Sequence, residues 1–466
     1  MVNPTPVQIA APHPGQLPSR RLLVIADLRH ASPRWPALLG GLIQRGWDVT
    51  VVTAPLGDDA ALRLGFPDAF AKQARVVQTG PSSDVLQPLR ELLWRFGLRR
   101  RVSLTGQLKE RIAVPAVRGG FDRAFQLVLA LIGWPDLQAP WRDSAVEAAE
   151  ALLERERFDV MVSSSPYPTS HIVAATLRRR YPSLRWVADF RDLWADNHNY
   201  SMPRWRQAID RRWERRILRN ADALMTPTQD WSAHLSRVHN RPAVCVPNGY
   251  VDYEQAVEPA ALAAGKFVLL YSGLRYPAKQ SIRPLLEAMR RLRDEGVIDA
   301  ERFCFRWIGP FDSDAAHQVH ELGIRDLVSQ EPPVSRDQAL AAQRAAHALL
   351  FLQWQDRAVD WSSSLKLHEY VGSGRPILAV GGFPESPVSR LLAATGRACL
   401  AVSDQDAARC LRAWISEIHT RGCISVPQDW SARAEALSGI SRGLNALTEI
   451  LSPETTTPEA PADPAR

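Results

Sequence analysis

Arg275 and Lys279 stand in LRYPAKQ, between the apolar run KFVLLYSG (Lys266 to Gly273) and the helix-like SIRPLLEAM, whose Pro284 falls in a first turn where a missing N–H is harmless. A strand-to-helix loop carrying a planar guanidinium, a compact ammonium and helix-start amides can hold a diphosphate. The same pair also reads as two ordinary cations of a solvated loop, because no P-loop glycines accompany them. A second set lies in DWSSSLKLHEYVGSGRPILAV, where serines precede a helix bearing Lys366, Glu369 and Tyr370, and Gly372, Gly374 and Pro376 lead into a strand. A third follows two other strands. In FDVMVSSSPYPTSH a turn rich in serine and proline leads to His171, and in WVADFRDLW Asp189, Arg191 and Asp192 sit just past a strand end. There a carboxylate can accept hydrogen bonds from hydroxyl groups and Arg191 can hold an anion. Asp189 and Arg191 can equally brace the loop as an ion pair. His171, one turn into its helix, can touch a phosphate or a hydroxyl, or cap the turn. Asp312-Ser313-Asp314 spells a metal-binding D-x-D, but acidic residues in a polar turn are the commoner explanation.

Positioning these residues requires strands that end where they begin. Short β-branched runs alternate with longer amphipathic segments, the pattern of parallel sheets covered by helices. RLLVIADL, DVTVVTA, DVMVSSS, RWVADF and ALMTP form one series; KFVLLYSG, CFRWIG, HALLFLQ and RPILAVGG form another. VCVPNGYVD, with a Pro-Asn-Gly turn at Pro247 to Gly249, reads as the hinge between them. The predicted organisation is an extension at 1–19, a first Rossmann-like domain at 20–253, a second at 254–428, a helix at 429–451 and a tail at 452–466. The extension and tail are too poor in large apolar side chains to order themselves. In open parallel sheets ligands bind outside the carboxyl ends of the strands, which is where all three sets fall.

Composition narrows the class. The chain has 466 residues, too many for one compact core. Its longest apolar run, FQLVLALIGW, is far shorter than the ~20 residues of a membrane-spanning helix. Prolines interrupt the stretch where a secretory signal would need continuous apolar residues, so a cytoplasmic location is expected. The five cysteines show neither CxxC spacing nor a His/Cys metal pattern, and a reducing compartment fits them. A net charge of +7 points to an anionic partner. No nucleic-acid-reading motif accompanies that charge.

Here a resemblance becomes specific. The Lys366 to Pro376 segment resembles the nucleotide-binding region of family 4 glycosyltransferases of the GT-B fold. WPDLQAPW, FDVMVSSSPYPTSH and WVADFRDLW resemble, in order, three motifs of the bacterial polysaccharide members of that family. The resemblance implies two facing Rossmann-like doubly wound domains with a central cleft, and a closing helix at 429–451 that crosses back to the first domain. It implies a retaining, metal-independent transfer from a nucleotide diphosphate sugar to a saccharide or lipid-linked acceptor in surface polysaccharide synthesis. Nucleotide-sugar binding would fall to Gly273, Ser363, Ser364, Lys366 and Glu369, with Glu369 on ribose hydroxyls. Arg275, Lys279 and His171 would be catalytic, and Asp189, Arg191 and Asp192 would bind the acceptor.

Two departures stand out. Trp361 replaces a glutamate that many members carry eight positions before Glu369, and HASPRWPALLGGL replaces a glycine-rich loop, with Ser32 and Arg34 as substitutes for its contacts. They leave open a non-catalytic nucleotide-sugar-binding subunit or a non-hydrolysing sugar-nucleotide epimerase. ELLWRFGLRRR (Glu91 to Arg101) combines aromatic and aliphatic groups with four arginines. It suits either peripheral contact with an anionic membrane surface at the inner face or packing on its own domain.

Overall fold

Runs such as LLVIA and VMVSS are buried along their whole length rather than at alternate residues, so the sheets they form need cover on both faces. The computed structural model describes residues 20–28, 34–56, 74–80, 134–136, 138–197, 203–248, 266–357, 365–422, 424 and 440–452. The predicted α/β class and two-domain architecture are as expected.

The first sheet holds β1 (Arg20–Ala26), β2 (Trp47–Thr53), β3 (Arg75–Gln78), β4 (Val160–Ser164), β5 (Arg185–Asp189), β6 (Ala223–Thr226) and β7 (Ala243–Cys245). Its order is β3-β2-β1-β4-β5-β6-β7, and every pairing is parallel. Its helices among the described residues are α1 (Arg34–Gln44), α2 (Arg142–Leu153), α3 (Pro168–Arg180), α4 (Arg204–Leu218) and α5 (Gln229–His239). One face packs Met161, Trp186 and Leu224 against α2 and α3, while the other packs Val162, Val187 and Met225 in the layer that contains α1.

The second sheet holds β8 (Phe267–Ser272), β9 (Phe303–Ile308), β10 (Val328–Glu331), β11 (Ala348–Leu352), β12 (Ile377–Val380) and β13 (Ala398–Ala401). They run in the order β10-β9-β8-β11-β12-β13, again all parallel. Helices α6 (Arg283–Asp294), α7 (Ser313–Glu321), α8 (Arg336–Ala345), α9 (Leu365–Gly372), α10 (Pro387–Ala394) and α11 (Asp404–Arg421) cover it. Each sheet reverses its strand order once, between β1 and β4 and between β8 and β11. Those switch points are the crevices where such folds take ligands.

A final helix, α12 (Ile440–Leu451), returns to the first sheet. Leu447, Ile450 and Leu451 are buried with Val24, Val49 and Val246, and Arg45 of the α1–β2 turn donates to Thr448 and Asn445. The approach is tight enough that a side chain at Gly41 would meet Leu444 at 2.5 Å. One expectation about the cysteines needs correction: Cys399 of β13 and Cys410 of α11 are joined, with Cα atoms 6.2 Å apart. Their separation of 11 residues matches no familiar spacing, and only strand-to-helix packing brings them together.

Candidate active site

The three serines that end β4 face different ways, because successive strand side chains alternate between the two faces of a sheet. Ser164 is in register with Asp189 of β5 and donates to its carboxylate at 2.7 Å. On that face the indole of Trp35, at the start of α1, donates to Ser164 Oγ at 2.6 Å and to Asp189 Oδ2 at 3.0 Å. Ser163 points the other way, accepting from the Trp186 indole at 2.8 Å and lying 2.8 Å from His171 Nδ1. Ser165 passes the strand end, and its hydroxyl accepts from the Arg191 amide at 2.8 Å.

WPDLQAPW completes the scaffold. The buried Asp136 carboxylate accepts from the amide and hydroxyl of Thr169 at 2.7 and 2.8 Å at the start of α3, and from the Gln138 amide at 2.6 Å. Burial pushes its pKa up to about 6 against those hydrogen bonds. Trp141 donates to Thr79 at 2.8 Å. The three motifs are therefore joined in one hydrogen-bonded network that shapes the strand ends, with His171 Nε2 and Trp194 Nε1 buried outside its bonds, and no reading of spacing alone exposes it.

That network corrects two assignments. Asp189 is fully buried and holds Trp35 and Ser164, so its carboxylate does not face an acceptor. His171 is fully buried as well, stacked on Phe190 at 4.9 Å, and burial with a smaller contribution from His239 pushes its pKa down to about 3. It is a neutral ring of the core and not a group within reach of a phosphate. Arg191 is half-buried and Asp192 exposed beyond the end of β5. Trp35 was passed over in favour of Ser32 and Arg34, which lie where no side chain is described. Its indole donates beside the switch point between β1 and β4.

In the second domain Arg275 also differs from expectation. Its guanidinium is buried and faces inward, donating to Asp312 at 2.6 and 2.8 Å, to Asp314 at 2.5 Å and to the Gln280 carbonyl at 3.1 Å. Burial opposes its charge, yet the two aspartates hold its pKa above the ordinary arginine value. Asp312 also caps α7 by accepting from the Ala315 amide at 3.0 Å. With all three nitrogens engaged, Arg275 braces the loop, and Asp312 and Asp314 close on that cation. The side chain turned outward at this strand end is Leu274, 41% exposed.

The groups that do gather at the switch point between β8 and β11 are Lys366, Glu369, Lys279 and Gly273. Gly273 adopts φ 111°, which L side chains rarely take, and a Cβ there would lie 3.2 Å from Lys366 Nζ. The Lys366 ammonium lies 4.0 Å from the centre of the Tyr271 ring and 3.5 Å from the Leu274 carbonyl. One turn along α9, Glu369 is held by Arg336 at 3.3 Å and by Gln343. Burial raises its pKa, opposed by those partners and by Lys366. Tyr370 accepts the Ser272 amide at 3.0 Å, tying α9 to the end of β8, and burial pushes its own pKa up to about 12. Lys279 is half-buried, its Nζ 5.8 Å from the Trp354 ring, which packs against Tyr276 at 5.3 Å. Ser363, Ser364 and Trp361 lie outside the described residues.

Residues 31–249 match the family described as glycosyl transferase 4-like domain. None of the curated proteins matches the chain. Among solved structures, sucrose-phosphate synthase from Thermosynechococcus elongatus is similar at 16% identity and TM-score 0.54, over 92% of this chain and 98% of that one. The N-terminal domain of trehalose-6-phosphate phosphatase from Candida albicans is similar at 11% identity and TM-score 0.53, over 96% and 99%. A UDP-N-acetylglucosamine 2-epimerase overlaps with TM-score 0.49 at 11% identity, over 93% and 95%. At such identities the first two likenesses establish the fold, GT-B, and nothing finer.

Proposed function

We propose, from the match of residues 31–249 to the glycosyl transferase 4-like domain and from the GT-B fold, that the chain transfers a sugar from a nucleotide diphosphate donor to a saccharide or lipid-linked acceptor. Surface polysaccharide synthesis is the pathway that its motifs suggest. The observation that carries the reading is the end of β8, where the Lys366 ammonium lies against a backbone stripped of side chain at Gly273, with Glu369 one turn along the same helix and Lys279 in the loop that follows the strand.

In this reading Lys366 and Lys279 neutralise the diphosphate as it departs, and Gly273 lets its oxygens approach the main chain. Glu369 accepts ribose hydroxyls with the carboxylate capacity left by Arg336 and Gln343. Arg191 and Asp192 meet the acceptor from the other domain. The transfer is read as retaining and metal-independent, as the resemblance implies. Capture of Asp312 and Asp314 by Arg275 supports the second point. Removing one charge aimed at a developing anion costs about 3–4 kcal/mol of barrier, a rate loss of 100-fold or more.

The test begins with thermal shifts on UDP, GDP, ADP and their sugars. One base is expected to raise the melting temperature by mass action, and Lys366→Ala and Glu369→Gln should erase that shift. No shift with any of them would overturn the proposal. With the matched donor, turnover that requires an acceptor separates transfer from epimerisation, which makes a new sugar nucleotide alone. It also separates transfer from a subunit that binds without turnover.

A further inference from the structure

On the first domain, helix α4 is built inside out. Its two carboxylates are buried: Asp210 pairs with Arg206 at 2.9 Å, and Glu214 accepts the Ala195 amide at 2.8 Å and lies 2.9 Å from His239. Trp205, Ile209, Arg212 and Arg216, spaced four, three and four residues apart, form one stripe on the opposite side. All four are exposed, Trp205 at 43% and Ile209 at 46%. Trp134, 42% exposed, flanks the stripe by stacking on Trp213 at 4.2 Å. Among the described residues only five large apolar side chains are this exposed, and three of them gather here.

The charge on this face has one sign. No carboxylate among the described residues pairs with Arg204, Arg212, Arg215 or Arg216, whereas Arg211 on the flank pairs with Asp196 at 2.7 Å. The C-terminal end of α4 borders a groove of about 570 Å³ lined by Arg179, Arg216 and Arg219 and, on α2, by Asp143, Glu147 and Glu150, so the uniformly positive surface is the outer face of α4 itself and not the groove. An indole and a branched aliphatic chain aligned with unpaired guanidinium groups are complementary to one kind of surface. The apolar groups suit the acyl boundary and the arginines suit negative headgroups. A nucleic acid would satisfy the arginines but leave Ile209 without a role.

We propose that the outer face of α4, with Trp134, is a docking surface for an anionic phospholipid bilayer. This surface is distinct from the Glu91 to Arg101 segment, which lies outside the described residues, and it stands whether or not the chain transfers sugar. Binding is reversible and weakened by salt, since one helical stripe inserts only two large side chains.

The test is cosedimentation of the full chain with vesicles of phosphatidylcholine, alone or mixed with phosphatidylglycerol, at low salt. The chain is expected to pellet with the mixed vesicles only. Arg212→Gln with Arg216→Gln should weaken partitioning about five-fold per arginine, roughly 30-fold together. Trp205→Ser with Ile209→Ser should weaken it about tenfold. Because all four side chains are exposed, melting temperatures should be unchanged, which separates lost docking from lost folding. No binding to the mixed vesicles overturns the proposal. So does equal binding to pure phosphatidylcholine, binding that either double variant retains in full, or retention by heparin without any by vesicles.

Discussion

At the scale of single residues, polar groups in this chain belong first to the loops they shape. Arg275 shows the consequence. Its guanidinium is buried while Asp312 and Asp314 remain partly open, so the cation depends on its partners more than they depend on it. Asp312→Ala removes two hydrogen bonds to Arg275 and the cap of α7. The cap is worth about 0.5–2 kcal/mol and an unsatisfied buried charge about 1–3. Unfolding in urea should therefore lose about 2–4 kcal/mol for the second domain, and an unchanged midpoint would show that the triad is idle. Asp189 and His171 follow the same logic. Each is placed by strand register or helix phase against a partner many residues away, which spacing along the chain does not reveal.

At the scale of elements, the core strands are written plainly in the sequence and the edge strands are not. Nine runs predicted as strands are strands. The four that escaped notice, β3, β7, β10 and β13, are the outermost strands of the two sheets, three or four residues long and mostly half-buried. An edge strand lacks cover on one side and so lacks the apolar run that marks its neighbours. Hence β7 overlaps the start of the stretch read as a hinge. The candidate site divides similarly: positions just past strand ends were recognisable, but the direction of each side chain depends on register. Helix α12 shows packing that no local pattern encodes, since its apolar stripe fills the layer beside α1. Leu447 is fully buried there, and Leu447→Ala should cost about 2–5 kcal/mol. The loss should appear as a lower melting transition for the first domain, by about 2–4 °C per kcal/mol. A loss confined to the second domain would contradict the docking.

At the scale of the whole molecule, the buried rings of His171 in the first domain and His347 in the second shape its response to acid. His171 titrates at about 3 and His347, whose Nδ1 accepts the Val268 amide at 3.0 Å, at about 4, both depressed chiefly by burial from 6.5. Below pH 6.5 the unfolded chain binds protons that the folded chain refuses, so the stability these rings contribute is complete above 6.5 and declines as pH falls toward 4. Asp136 runs the other way. Raised from 3.8 to about 6, it keeps a proton that unfolding releases, so below about pH 6 it offsets much of the loss in the first domain. Glu369, also raised by burial, offsets part of the loss in the second. The expected profile is a decline that sets in near pH 6.5 and that the two carboxyl groups keep shallower than the histidines alone would make it. Asparagine can present an acceptor near the position of Nδ1, so His347→Asn should keep the bond to Val268 and remove the titration. Between pH 6.5 and 5 that variant should lose about 1.5 kcal/mol less than the parent chain, at about 1.36 kcal/mol per pKa unit, because the unfolded ring is only half protonated at 6.5. Parallel urea midpoints at the two pH values would decide it, and equal acid sensitivity in parent and variant would show that the ring is protonated in the folded chain.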